Sequence, residues 1–211
     1  MSKKILLADD HNVVRQGVSL ILKEHFNDVS IYHTDSFKNV ITNLEENSFD
    51  LLILDINLPE GNSVTMIEKA RAVQKELKIL IFSAFDEEQY ALRYLHAGAN
   101  GYLNKLSSED DILEAVKTVL SGSKYVSDKV KDKIYENVIN NSPVNPLDTL
   151  SNRELEIAGL LAEGEGNLEI ANRLNIQMST VSTYKNRIFE KLEVTNLISM
   201  VEKYKLYSEG V

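Results

Sequence analysis

Over its first 122 residues the chain alternates short apolar runs with longer amphipathic segments, and this alternation constrains the fold more than any other feature. The strand-like runs are KKILLAD, DVSIYHT, FDLLILDI, KILIFSA and NGYLNK. Between and after them lie VVRQGVSLILKEHF, FKNVITNLEEN, TMIEKARAVQ, EEQYALRYLHAG and SSEDDILEAVKTVLSG, which have helical character. Strands separated by helices pair in parallel, because the helix supplies the long crossover that a parallel connection needs. Five strands alternating with five helices predict an α/β fold, a doubly wound five-stranded parallel sheet with helices on both faces. Ser107 or Ser108 ahead of Asp110 and Asp111 caps the fifth helix, and Gly122 suits its end, so the first domain is expected to span 1–122.

Residues 123–148 change character to a short amphipathic helix and a polar stretch with Pro143 and Pro146, and read as a linker. From 149 to 211 no strand signal occurs. Helices are expected at Ser151–Ala162, Leu168–Leu174, Ser179–Leu192 and Leu197–Tyr207, which makes the second domain small and all-α.

Composition removes several classes of chemistry. There are no cysteines, so thiolate metal sites, disulfides and thiol nucleophiles are excluded, and the four histidines show no ligand spacing. A metal would have to be held by oxygen. The longest aliphatic or aromatic runs, Leu51–Leu54 and Ile79–Phe82, fall far short of the ~20 residues of a membrane helix. With no signal-peptide pattern at the start, a cytoplasmic location without membrane contact is expected. The net charge of −9 argues against a polyanionic partner for the whole chain, but the excess acid is uneven. Residues 1–149 carry 16 Lys+Arg against 23 Asp+Glu, whereas 173–191 hold Arg173, Lys185, Arg187 and Lys191 against Glu190 alone. Any polyanion contact belongs to that stretch.

In an open parallel sheet, chemistry collects beyond the carboxyl ends of the strands. Asp9 and Asp10 end the first strand, Asp55 the third, Ser83 the fourth and Lys105 the fifth. Carboxylates gathered in one crevice call for a hard cation, and an oxygen-only donor set suits Mg2+. A lysine and a hydroxyl beside it complete a site for phosphoryl transfer, with Asp55 as nucleophile.

The segments LLADDH, LLILDINLPEG, LIFSA and GANGYLNK, in this order and spacing, resemble the receiver domain of two-component response regulators, a flavodoxin-like fold. That resemblance implies Asp55 as phosphoacceptor, a Mg2+ site of Asp9, Asp10, Asp55 and the Asn57 carbonyl, Ser83 as switch hydroxyl, Lys105 as phosphate partner and Tyr102 as switch aromatic. Leu106 stands where many receivers have proline, so a cis bond is not expected there. Phe85, two past Ser83, is expected to hinder the attacking water and slow the loss of the phosphoryl group.

In the second domain LEIANRL, NIQM and MSTVSTYKNRIFEKL form a short helix, a tight turn and a longer helix, the pattern of a helix-turn-helix. At about 100° per residue, Val181, Ile188 and Leu192 share one stripe with Tyr184 at its flank, and Ser179, Ser182, Thr183, Asn186 and Glu190 face away. Residues 150–194 resemble the LuxR-type helix-turn-helix of the NarL/FixJ class of response regulators. The resemblance implies base contacts from Ser182, Thr183 and Asn186, with Ser179 and Thr180 beside them, and phosphate contacts from Lys185, Arg187 and Lys191. Relatives often have lysine where this chain has Leu168 and Ser182, and histidine at Tyr184. Weak monomeric binding and a dimer are therefore expected. The last helix, with Leu197, Met200, Val201 and Tyr204 on one stripe, resembles the family's dimerising helix, with inward packing as the alternative.

The expected function is a transcription regulator phosphorylated on Asp55 by a sensor histidine kinase, which then forms a homodimer on double-stranded promoter DNA. It would not be an enzyme beyond taking up and losing its own aspartyl phosphate. Two rivals stand beside it. A Mg2+-dependent phosphatase with an aspartyl nucleophile would want a second carboxylate where Asn57 stands. An adaptor would use the helical domain to meet protein.

Overall fold

The computed structural model describes residues 2–61, 64–140, 143 and 145–208; of the expected linker, residues 141, 142 and 144 lie outside the described ones. The chain divides into two compact units, 1–139 and 140–211.

The first unit is a five-stranded sheet of β1 (Lys3–Ala8), β2 (Val29–Thr34), β3 (Leu51–Leu54), β4 (Lys78–Ser83) and β5 (Gly101–Asn104), all parallel, in the order β2-β1-β3-β4-β5. Helices α1 (Asn12–His25), α2 (Phe37–Glu46), α3 (Thr65–Val73), α4 (Glu87–His96) and α5 (Glu109–Leu120) alternate with the strands, as the sequence predicts. Successive strand residues point to opposite faces. Thus Leu52, Leu54, Ile79, Ile81 and Tyr102 pack with Val40, Met66, Ile67 and Tyr94 of α2, α3 and α4. Leu51, Ile53, Leu80, Phe82 and Leu103 pack on the other face with Val18 and Leu22 of α1 and Ile112 and Val116 of α5. An all-apolar run such as Leu51–Leu54 is what a strand covered on both faces requires, and all four residues are buried.

This winding positions the crevice. From β1 the chain moves outward to β2 on one side and continues to β3 on the other, so the strand order reverses between β1 and β3. Ligand sites of open sheets lie at such a switch point. A capping box formed by Ser108 and Asp111 opens α5, as the serine and acid pattern predicts.

One boundary differs from expectation. The first unit does not close at 122: Tyr125 bridges to Gly101, and α6 (Asp128–Asn140) presents Val130 to the sheet, with Val126 and Ile134 packed beside it. Apolar residues at every fourth position give the segment a face to bury, and that pattern outweighs its polar composition.

The second unit opens with a 3-10 turn at Pro146–Thr149, followed by α7 (Asn152–Ala162), α8 (Asn167–Leu174), α9 (Met178–Lys191) and α10 (Leu197–Ser208). Its core joins Ile157, Ala158 and Leu161 to Ile170, Val181, Ile188, Leu192 and Met200. The α8–α9 turn passes through Asn175 in the left-handed region, φ 51°, a conformation that asparagine tolerates. The stripe expected to dimerise turns inward for three of its four members: Met200 is fully buried, and Val201 and Tyr204 pack against the core. Leu197 and Ile198 are the exposed apolar residues of α10. Among the described residues, no helix is long and apolar enough to cross a membrane.

Glu154 closes a capping box on α7, accepting from Ser151 N at 2.7 Å, and also accepts from Lys191 Nζ at 2.7 Å. Burial alone would raise its pKa, but the bonds from Lys191 and Ser151 override it and hold the carboxyl at about 2. The folded state thus binds fewer protons than the unfolded one. The stabilisation is fully present above the ordinary value of 4.5 and is lost as pH falls through that value toward about 2. Thermal melts should show the helical unit weakening over this window. Glu154→Gln keeps an acceptor for Ser151 N but removes the charge facing Lys191, and should lower stability at neutral pH by about 1 kcal/mol and flatten the acid dependence.

Candidate functional site

Asp9 and Asp55 leave neighbouring strands at the same level. Ala8 is in register with Leu54, and Asp55 N donates to Ala8 O at 2.9 Å. Both side chains are buried. Lys105, immediately beyond β5, places Nζ 2.6 Å from Asp9 Oδ2 and 2.9 Å from Asp55 Oδ2. Burial alone would lower the pKa of this lysine, but the two carboxylates override that and raise it, so the ammonium stays charged. Asp10 lies at the exposed mouth, 2.7 Å from His11 Nδ1. One ligand atom from each of Asp9, Asp10, His11 and Asp55 falls within 4.8 Å of the others.

Three carboxylates against one ammonium leave a net charge of −2 when all are ionised, the complement of a divalent cation. Asp9 is held on both oxygens, Oδ2 by the Lys105 ammonium at 2.6 Å and Oδ1 by His11 N at 2.8 Å, which fixes its carboxylate in the crevice. Clustered oxygen donors with this excess of negative charge fit Mg2+, with Asp9, Asp10 and Asp55 as the side chains able to hold it. Asn57 N donates to Asp55 Oδ1 at 3.3 Å, which folds the loop after β3 around the Asp55 carboxylate.

The hydroxyl side of the crevice is a chain of hydrogen bonds. Ser83 is fully buried, and its Oγ accepts from Phe85 N at 3.2 Å. Phe85 O accepts from Tyr102 Oη at 3.2 Å and from Asn104 Nδ2 at 3.0 Å. Burial pushes the Tyr102 phenol well above its ordinary value, against a hydrogen bond with Ser83 that acts the other way. The Phe85 ring stacks on Tyr90 with centroids 4.8 Å apart. The structure therefore brings Asp9, Asp55 and Lys105 into direct contact and links Ser83 to Tyr102 through the Phe85 backbone.

Two partners were not legible in the sequence. Arg15 donates to the Asp9 carbonyl from one turn into α1, and Asn104 holds the Phe85 carbonyl. The acid pair and the apolar strand carry no mark of either.

In the helical unit, α9 buries Val181 and Ile188, with Leu192 buried at its C-cap, and exposes Ser179, Thr183, Asn186 and Arg187; Thr180, Ser182 and Lys185 are half-buried. Ser182 Oγ donates to Met178 O at 3.2 Å and lies 3.1 Å from Asn167 Nδ2, which donates to it from the start of α8. Thr183 Oγ1 donates to Ser179 O at 3.0 Å. The cations do not all face out. Lys191 is turned to Glu154 and to Thr149 O, and Arg173 is paired with Glu165 and, at 3.7 Å, with Glu163. Lys185 Nζ lies 5.6 Å from the Phe189 ring centroid. The positive excess of 173–191 is thus largely neutralised within the fold.

Known proteins share both halves. Residues 5–117 match the response regulator receiver domain, and residues 148–203 match the luxR family of bacterial regulatory proteins. The oxygen regulatory protein NreC of Staphylococcus epidermidis is 36% identical, with 94% of this chain and 95% of that protein covered. The fimbriae Z protein of Escherichia coli is 30% identical, with 96% of each chain covered. Among solved structures, two RcsB dimers bound to two parallel DNAs match with a TM-score of 0.79 at 24% identity, covering 98% of this chain and 99% of that one, a likeness of fold. The response regulator ChrA of a haem-sensing two-component system matches at 30% identity and a TM-score of 0.53, covering 97% of this chain and 96% of that one. With the acidic crevice on a parallel sheet and a helix-turn-helix behind it, the chain belongs to the NarL/FixJ class of two-component response regulators, transcription regulators that join a receiver to a LuxR-type DNA-binding domain.

Proposed function

We propose that the chain accepts a phosphoryl group on Asp55 from a sensor histidine kinase, with Mg2+ at Asp9, Asp10, Asp55 and the Asn57 carbonyl, and that the phosphorylated form pairs into a homodimer on promoter DNA. The observation that carries this reading is the Lys105 ammonium, held between two buried carboxylates at 2.6 and 2.9 Å. A cation so placed fixes Asp55 for attack and balances charge as it spreads over a transferring phosphoryl group.

In the transfer, an Asp55 oxygen attacks phosphorus and forms an O–P bond while the P–N bond to the kinase histidine breaks. The imidazole nitrogen keeps that electron pair and takes a proton from solvent. Bound Mg2+ supplies charge neutralisation and orientation of phosphoryl oxygens. Ser83 then donates its hydroxyl proton to one phosphoryl oxygen, Lys105 pairs with another, and Tyr102 follows Ser83. No general acid stands two residues beyond Asp55, because Asn57 occupies that place. This supports a receiver that holds its phosphate rather than an enzyme that turns over external phosphoesters.

On DNA, α9 would enter the major groove and present Ser179, Thr180, Ser182, Thr183 and Asn186 to base edges. Lys185 and Arg187 remain as its phosphate contacts. Lys191 leaves the proposed set, since its ammonium already serves Glu154. The reading places the protein in the cytoplasm, where a sensor kinase and the chromosome are both in reach.

With acetyl phosphate and Mg2+, intact mass should show a single phosphoryl adduct and sizing a shift toward dimer; Asp55→Ala should abolish both, and an adduct surviving in that variant would sink the assignment. Removing Mg2+ with a chelator should prevent the adduct. Phe85→Ala should shorten the phosphoryl half-life; a lifetime left unchanged would count against a shielding role. Two phosphate contacts per protomer give a log–log salt slope of about −2 for one protomer and about −4 for a dimer. Titration of duplex binding against salt checks this, and a slope as steep as −8 would show that other cations engage.

A further inference from the structure

Tyr125 lies beside β5 as a one-residue extension of the sheet. Its N–H donates to Asn100 O at 3.0 Å, and its carbonyl accepts from Tyr102 N at 3.2 Å. Glycine is needed opposite: a Cβ at Gly101 would come within 2.9 Å of the Tyr125 carbonyl. Beyond this bridge, Val126, Val130 and Ile134 recur at intervals of four and join the start of α6 to the apolar cluster that holds Tyr94 of α4 and Tyr102 of β5. Val130 is 1% exposed.

Tyr102 is therefore gripped at both ends. Its phenol donates to Phe85 O, and its backbone N–H donates to the segment that follows α5. Phe85 N in turn donates to the Ser83 hydroxyl. One run of bonded groups leads from the fourth strand end through Phe85 and Tyr102 to Tyr125. From there α6 is the covalent path to the second unit, which begins at residue 140.

We propose that residues 125–134 form a strap that senses the state of Ser83 and Tyr102 and passes it along the chain, closed in the unphosphorylated protein and loosened by phosphorylation. The proposal rests on Asp55 being the phosphoacceptor. A hydroxyl drawn toward a phosphoryl oxygen either pulls the Phe85 amide with it or releases it. In both cases the Phe85 carbonyl moves, and that carbonyl is the shared acceptor of Tyr102 and Asn104. A shift of Tyr102 disturbs the strap, because its N–H bonds the Tyr125 carbonyl and it belongs to the apolar cluster on which Val130 is seated. Close-packed interiors pass on small displacements instead of absorbing them.

The test is hydrogen exchange on the full chain with Mg2+, with and without acetyl phosphate, with intact mass read from the same samples. Exchange over 124–135 should become several-fold faster in the phosphorylated protein, with peptides of β1 and β3 unchanged and no effect in Asp55→Ala. An adduct with unaltered or slower exchange over 124–135 would overturn the strap. Absence of any adduct would overturn the phosphoacceptor reading and the strap with it, and the mass spectrum tells the two failures apart. Coupling is reciprocal, so loosening the strap must favour the switched state. Val130→Ala should bind beryllofluoride with Mg2+ about fivefold tighter than the parent, the low end of ordinary coupling. Equal affinity in that variant would count against the strap even if exchange changed.

Discussion

The ammonium of Lys105 between Asp9 and Asp55 is the interaction on which the rest of the receiver depends. Two buried carboxylates on adjacent strands repel each other, and a cation between them is what lets both stay in the crevice. The lysine comes from the edge strand, so it must reach past β4, a span of about 10 Å between the axes of β3 and β5. Its length allows this, and so does the small residue at the end of the intervening strand, Ser83. The sheet order, the size of Ser83 and the position of Lys105 just past β5 are parts of one electrostatic solution. With Asp10 at the mouth counted as well, the crevice is two charges short when all three carboxylates are ionised, which is the physical opening for a divalent cation.

The receiver was legible because its elements follow single periodicities. Leu51–Leu54 and Ile79–Phe82 are short enough to read as strands covered on both sides, and the polar residues that break the two runs, Asp55 and Ser83, mark the strand ends where the crevice forms. The helix-turn-helix was legible for the same reason: the Val181, Ile188 and Leu192 stripe fixes which face of α9 turns in. Partner choice among charged side chains was not legible. Lys191 and Arg173 look like free cations in the sequence, and only the tertiary approach of α7 and of the 163–165 turn shows that Glu154, Glu163 and Glu165 neutralise them. Polar composition likewise disguised 125–134 as linker, because three apolar residues spaced by four suffice to seat a helix that is charged elsewhere.

The last helix shows the same limit from the other side. Leu197, Met200, Val201 and Tyr204 share a stripe, but a stripe states only that something covers it. In α10 the cover for all but Leu197 is the protein's own core, where Tyr204 also comes close to Gly159 of α7. What α10 leaves outside is Leu197 and Ile198, a smaller apolar surface at its first turn.

These ion pairs bear on how the proposed switch could act. Tight, salt-driven binding by a single helical unit would leave little for phosphorylation to control, since the unphosphorylated protein would already occupy DNA. With Arg173 and Lys191 paired to glutamates of their own unit, and Leu168 and Ser182 in places where relatives often carry lysine, one unit contributes few phosphate contacts. Under the proposed reading, pairing two such units on one duplex turns the second contact into an intramolecular one, and affinity rises through effective concentration without new cations. A weak recognition helix is then a condition for control: the poorer the single unit, the larger the share of binding that depends on whatever the receiver does to bring two together.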